Sequence, residues 1–211
     1  MYAGIIGFPG SGDQYAFELL CAFGFSSLHG RTSWRALLPE HRPQELVSRE
    51  PSKEGRNRRV SGNPIPFNPV VHLMRYPWHA ITAATELPLD DLVLIRTAVG
   101  INPKAPACHL NTRESVVKVL TLAFPKWYDM IRGLNPDIML KVESPDAVTA
   151  FKKLLDVKPF FLKESELPVF KLPLPEKTVT YEVAVAIAGQ LAASQVEVIA
   201  KNLYKQVPKL L

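Results

Sequence analysis

The fold is decided by a stretch near the N-terminus that reads Tyr2-Ala3-Gly4-Ile5-Ile6-Gly7-Phe8-Pro9-Gly10-Ser11-Gly12-Asp13-Gln14-Tyr15. Its short apolar run carries no charge, which is typical of a strand buried on both faces of a sheet. After the glycine-rich turn, apolar residues recur at helical spacing until Gly24. Strand, glycine-rich loop and helix together predict a phosphate cradle, because the loop amides and the helix N-terminus attract an anion.

The two residues after the glycines decide which phosphate chemistry this loop suits. The spacing Gly7-x4-Gly12 fits the first half of a Walker A loop, but Asp13 and Gln14 stand where the lysine and the Mg²⁺-binding hydroxyl belong. A carboxylate among the amides would repel a phosphate, although Asp13 can instead cap the helix. These residues argue against a P-loop kinase or NTPase, and they leave open a tight turn that binds no ligand.

Length and composition predict one soluble globular domain over residues 1–211, with 47% hydrophobic and 21% charged residues. The net charge of +5 suits an anionic ligand or surface. A basic, proline-rich loop is expected at about residues 39–69, either as a solvated charged loop or as a lid over an anion. Because that loop lacks interleaved aromatic residues, we expect no nucleic-acid partner.

Two cysteines, Cys21 and Cys108, indicate neither a disulfide framework nor a zinc site, so the reduced cytoplasm is the expected compartment. No basic segment precedes the first strand, and we therefore expect no signal peptide. The apolar segment at residues 183–200 is interrupted by polar residues, which predicts an ordinary helix and no membrane span.

A second element comes at residues 70–77, where the strand Val70-Val71-His72-Leu73-Met74 is followed by Arg75 and a helix that begins at Pro77. If this strand neighbours the first one, Arg75 lies at the carboxyl edge of the sheet, beside the glycine-rich loop. Its guanidinium can then bind a phosphate through two hydrogen bonds, the alternative being a structural ion pair.

The remaining pattern alternates strands and helices, which predicts an α/β fold with a central, mostly parallel sheet flanked by helices. A short strand is expected to end at His29, where open α/β sheets bind ligands; the alternative is an ordinary surface histidine. Further predictions are helices at 87–99 and 144–155, a long helix that opens at residues 111–114 and ends near Gly133, a strand at 138–143, and one last helix at about 178–207. Residues 111–114 resemble a capping box that opens the long helix, which Pro125 should kink or split.

Taken together, these pieces resemble the sulfotransferase family, which uses 3′-phosphoadenosine-5′-phosphosulfate. Residues 7–12 look like its phosphosulfate loop, residues 70–82 like its 3′-phosphate element, and Trp127 with Lys141-Val142-Glu143 like its late block. Residues 28–34 resemble a contracted motif of a bacterial branch. The resemblance implies a three-layer P-loop-type fold, a hydroxyl acceptor and no metal. Because the acceptor hydroxyl must lose its proton, we take His29, the candidate base expected near the loop, as the catalytic residue. The implied nucleotide-binding residues are Pro9, Gly10, Ser11, Gly12, Asp13, Gln14, Arg75 and Thr82.

The chain departs from the family pattern at positions that matter for catalysis. Gly10 stands where the family has a basic residue that neutralises the transferring group, and Asp13-Gln14 replaces Thr-Thr. Ala83 stands where the family has a serine, with Thr82 beside it. Amides of residues 10–14, Arg31 or a lid arginine (Arg56 or Arg58) are candidate substitutes. These departures keep open the alternative of an inactive protein of this fold that binds a nucleotide or a protein partner.

Overall fold

The computed structural model describes the chain in segments, and the predicted elements at residues 25–29, 39–69 and 145–155 lie outside them. The described residues form two compact units. The first contains residues 4–7, 12, 15–16, 70–74, 131–133, 136 and 138–144. The second contains residues 8–11, 75–102, 104–130 and 177–206.

The described part of the first unit contains a parallel sheet of three strands in the order β1 (Gly4–Gly7), β2 (Val70–Met74) and β3 (Ile138–Lys141). Ile6 stands opposite His72, and Leu73 opposite Leu140. These side chains are buried, as expected for strands with few polar residues. β1 and β2 are neighbours in this sheet, which is the condition under which Arg75 was expected beside the glycine-rich loop. β3 ends two residues earlier than predicted, because the chain turns at Val142, whose N–H still donates to the Met74 carbonyl.

The helices are α1 (Pro77–Ala84), α2 (Leu89–Ala98), a 3₁₀ helix (Ala107–Leu110), α3 (Arg113–Gly133), α4 (Tyr181–Ala188) and α5 (Gln190–Gln206). Pro77 occupies the first turn of α1, as predicted. The described fold is therefore α/β, with a small parallel sheet and helices. No helix within the described ranges is long and apolar enough to cross a membrane.

The capping box at the start of α3 lies one residue later in the chain than predicted. Thr112 Oγ1 accepts the Ser115 N–H at 3.2 Å, and Ser115 Oγ accepts the Thr112 N–H at 3.3 Å. The capping box therefore spans residues 112–115 rather than 111–114. Pro125 does not split the helix, which is continuous. Burial of its apolar face stabilises the helix on both sides of Pro125. The residues buried on this face include Val117, Leu120, Phe124 and Trp127.

The prediction of one C-terminal helix is wrong, since α4 and α5 are separate. Gly189 divides them with a φ of 93°, a backbone conformation that glycine adopts without strain. Its N–H donates to the Val185 carbonyl at 3.0 Å and closes the end of α4. Across the break, the Gln190 amide donates to the Tyr181 hydroxyl at 2.9 Å. The two helices therefore meet at a short corner.

The core of the second unit forms around Phe8, directly after β1. Its ring lies 4.6 Å from the ring of Phe124 and 6.3 Å, edge-on, from that of Trp127. Such aromatic pairs contribute about 0.5–1.5 kcal/mol beyond the area that they bury. The start of the glycine-rich turn is thereby fixed against α3.

Candidate functional site

The glycine-rich loop contains a tight turn from Phe8 to Ser11. The Ser11 N–H donates to the Phe8 carbonyl oxygen at 3.0 Å. Pro9 takes the second position and Gly10, with a φ of 86°, the third, which is the arrangement of a type II turn. Pro-Gly is the dipeptide that this turn prefers, so the bend follows directly from the sequence. The Ser11 amide is engaged in the turn itself.

Gly10 lies against the backbone of α1 so closely that no side chain fits. A Cβ at this position would lie 2.6 Å from the Ala80 carbonyl oxygen and 2.9 Å from the Ala84 nitrogen. Both contacts are with helix backbone, which cannot rotate away as a side chain can. Position 10 therefore cannot hold the basic residue of the sulfotransferase pattern while the turn keeps this place.

Arg75 is in direct contact with this turn. Its Nη1 donates to the Gly10 carbonyl oxygen at 3.0 Å, and the residue is only 4% exposed. The position follows from local sequence, because Arg75 comes straight after β2 and two residues before the first residue of α1. Arg75 therefore lies beside the loop, as expected where β1 and β2 are neighbours, and its role as a phosphate ligand stays a prediction.

Thr82 is fully buried in α1 and has two protein partners. Its Oγ1 donates to the Trp78 carbonyl at 2.6 Å and accepts the Val179 N–H at 2.8 Å. A hydroxyl has one proton to donate, and here the helix uses it. The side chain thus holds the segment before α4, and its predicted contact with the nucleotide stays a prediction.

A second connection joins α1 to the C-terminal helices. The Trp78 indole N–H donates to a carboxylate oxygen of Glu197 at 2.9 Å. The Trp78 ring also meets Tyr181 edge-on, with 6.3 Å between centroids. Burial raises the pKa of the neighbouring Tyr76, and the negative charges of Glu197 and Glu182 raise it further. This side of α1 therefore faces an aromatic ring and carboxylates of α4 and α5.

The pKa of His72, in β2, is shifted in the opposite direction to that of Tyr76. His72 is buried in β2, and this burial lowers its pKa to about 4. The ring is therefore neutral near pH 7 and supplies no positive charge for an anion. Burial also lowers the pKa of Lys141 at the end of β3. Within the described residues, no cluster of three or more potential metal ligands occurs.

Some of the predicted site residues lie together at the turn, and others lie outside the described residues. Pro9, Gly10, Ser11 and Arg75 lie at the turn, and Gly12, in the first unit, has a φ of 90°. His29, Asp13 and Gln14 lie outside the described residues, as do Arg31, Arg56 and Arg58.

Sequence reasoning missed the close approach of Gly10 to α1. The available signal was the run of small residues in that helix, Ala80, Ala83 and Ala84. Small side chains let a backbone segment come near a helix, and a glycine on the approaching chain allows the same from its side. The alanines of α1 lie far from Gly10 in the sequence, and they do not by themselves identify the glycine that they would contact.

Comparison with known proteins assigns this chain to no family. No protein-family model matches it, and no curated protein or solved structure does so either. The chemistry of the turn follows from its own residues: the buried Arg75 guanidinium donates to the Gly10 carbonyl, and position 10 has no room for a side chain.

Proposed function

We propose that this protein binds a 3′-phosphoadenosine-type nucleotide at the Phe8–Ser11 turn and at Arg75, and that it transfers a sulfuryl group from 3′-phosphoadenosine-5′-phosphosulfate to a hydroxyl acceptor. The proposal includes a three-layer P-loop-type arrangement of the whole chain. It rests on the resemblance of the loop, of residues 70–82 and of the late block to the sulfotransferase family, together with the geometry at the turn.

The observation that carries the proposal is the hydrogen bond from Arg75 Nη1 to the Gly10 carbonyl, 3.0 Å long. This bond orients a planar guanidinium at a glycine-rich turn that follows a strand. An arginine in such a place suits phosphate, because its fork of N–H groups matches two phosphate oxygens. The same bond orients the guanidinium before any ligand arrives, which lowers the entropic cost of binding.

In the proposed reaction, the bond between sulfur and the nucleotide's bridging oxygen breaks while a bond from sulfur to the acceptor oxygen forms. The acceptor loses its proton to a base, for which His29 is the candidate. The transferring group carries negative charge, so catalysis depends on positioning and on neutralising groups. Arg75 supplies one positive charge. The absence of the family's basic residue at Gly10 is expected to slow transfer by about 10²–10³-fold.

A second candidate function is binding without transfer, either of a nucleotide or of a protein partner. The close packing of Gly10 favours it, because a Cβ there would lie 2.6 Å from the Ala80 carbonyl. With no room for a basic side chain at position 10, the chain retains the residues proposed to bind the nucleotide. It lacks the cation that the family uses to neutralise the transferring group. The two candidates share the same ligand site and differ in turnover.

Thermal unfolding with adenosine 3′,5′-bisphosphate, and separately with Mg-ATP, tests the binding step. A ligand at 100 times its Kd stabilises the folded protein by about 2.7 kcal/mol. We expect the bisphosphate to raise the Tm and Mg-ATP not to do so, and we expect Arg75→Gln to weaken bisphosphate binding so that the rise is smaller but still measurable. Arg132→Gln is the matched control, because it removes the same charge from an exposed position in α3. No rise for the unsubstituted protein at millimolar bisphosphate would contradict the proposal.

Release of adenosine 3′,5′-bisphosphate from the phosphosulfate nucleotide, followed with a panel of phenolic and carbohydrate hydroxyls, separates the two candidates. Turnover that depends on an acceptor supports the transferase. Tight binding with no release under any acceptor supports the binding protein.

A further inference from the structure

The hydroxyl of Thr82 does more than the usual hydroxyl within a helix. Thr97 in α2 offers the comparison, since its Oγ1 also donates to the carbonyl four residues earlier, at 2.8 Å. Thr97 is exposed, whereas Thr82 is fully buried and also accepts the Val179 N–H at 2.8 Å. That second bond crosses 97 residues of sequence and joins α1 to the segment before α4.

One helical turn before Thr82, Trp78 makes a second bond of the same kind. Its indole N–H reaches Glu197 in α5, 119 residues away in sequence. The two bonds attach α1 to both sides of the α4–α5 corner, at Val179 and at Glu197. Val179 is itself buried, so its N–H depends on Thr82 as its protein partner.

The opposite side of α1 packs against the Phe8–Ser11 turn. Ala80 and Ala84 lie in contact with Gly10, and Arg75 precedes the helix by two residues. A small shift of α1 would therefore move the helix backbone that packs against Gly10. It would also move Arg75, which donates to the Gly10 carbonyl. The placement of α1 sets the geometry of the turn and of the guanidinium together.

We propose that Thr82 is a positioning residue: by holding Val179 it fixes α1, and through α1 it orients Arg75 for anion binding at the turn. This inference rests on the proposed function. It assigns Thr82 a role through Arg75 in place of the direct contact with the nucleotide that the resemblance implies. The C-terminal segment at residues 177–206 thereby becomes part of the binding apparatus, although it contributes no ligand to the anion.

The test compares Thr82→Val, which removes the hydroxyl at nearly constant volume, with Thr82→Ser, which retains it. Thr97→Val controls for loss of a hydroxyl bond within a helix, and Val117→Ala in α3 controls for a general loss of stability. Two quantities are measured on the full chain: the Kd for adenosine 3′,5′-bisphosphate, and the exchange rate of the Val179 amide proton. The Thr82→Val change is also made in the Arg75→Gln background.

We expect Thr82→Val to weaken bisphosphate binding by about 5- to 10-fold, the size of one buried hydrogen bond, and to accelerate Val179 exchange. Thr82→Ser should restore both, and neither control should change the Kd. Because Thr82 acts through Arg75, the same substitution should have little effect in Arg75→Gln, a coupling that a double-mutant cycle measures.

Three results would overturn the inference. Equal weakening in both backgrounds with Val179 still protected would make Thr82 a direct ligand. An unchanged Kd in Thr82→Val, with normal binding by the unsubstituted protein, would remove the positioning role and leave the proposed function intact. Failure of the unsubstituted protein to bind the bisphosphate would remove both, even if Val179 exchange still reported the bond to Thr82.

Discussion

The two sides of α1 are held by opposite means. Toward the turn, the backbone and alanine side chains of the helix pack against Gly10, and a Cβ atom at position 10 would clash with them. Toward the C-terminal segment, Trp78 and Thr82 make two long-range hydrogen bonds. The first contact depends on the absence of a side chain, and the second depends on particular polar atoms. Substitutions that add volume should therefore harm one side, and substitutions that remove a partner should harm the other.

The largest effect should come from Gly10→Ala. A positive φ costs an alanine about 1–2 kcal/mol, and forcing a methyl group into a packed contact adds about 1–3 kcal/mol. Gly189→Ala is the matched control, because its φ of 93° is similar to the 86° of Gly10 and nothing lies within 4 Å of the added Cβ. Denaturant unfolding should show Gly10→Ala to be the more destabilised of the two; equal losses would mean that the turn yields easily.

Acid provides a reference outside the Gly10 contact, since Gly10, Ala80 and Ala84 carry no titratable side chain. The pKa of His72 is lowered to about 4 in the folded protein, below the value of about 6.5 expected when unfolded. Because the unfolded chain binds the proton more tightly, stability is complete above pH 6.5 and falls as the pH drops toward 4. The loss should reach about 3 kcal/mol.

Unfolding free energies measured between pH 7 and pH 4 check this loss. His72→Gln should flatten the profile, whereas His109→Gln, at an exposed position, should leave it unchanged. The penalty of Gly10→Ala should stay constant while the folded state persists. A penalty that varies with pH would show that the turn and the sheet do not respond independently.

The smallest effect should come from Glu197. Glu197→Ala leaves the buried Trp78 indole N–H without its acceptor and should cost about 1–2 kcal/mol. Glu197→Gln keeps an acceptor oxygen for the indole N–H and should cost less than Glu197→Ala, because the ion pair of Glu197 with the exposed Lys201 contributes little. Urea unfolding of both variants checks the difference. Similar losses would mean that charge, and not the hydrogen bond, joins α1 to α5.

The elements of this protein were predictable wherever a local pattern decides them. The apolar runs of β1 and β2, the Pro-Gly turn and the start of α1 at Pro77 each follow from a few adjacent residues. The C-terminal helix was predicted without its break, since a single glycine in an apolar helical pattern is tolerated and does not by itself predict a helix end. Gly189 ends it here, with the Tyr181 and Gln190 side chains joined across the corner.

The sequence alone determined the first strand, the tight turn after it, and the buried strand before Arg75. These depend on backbone preferences and on chemistry carried by neighbouring residues. Only the tertiary structure decided that Gly10 lies against Ala80 and Ala84, that Arg75 donates to Gly10, and that Thr82 holds Val179. Those contacts join residues far apart in the chain, and their distances depend on the packing of α1 against its neighbours, which no local pattern encodes.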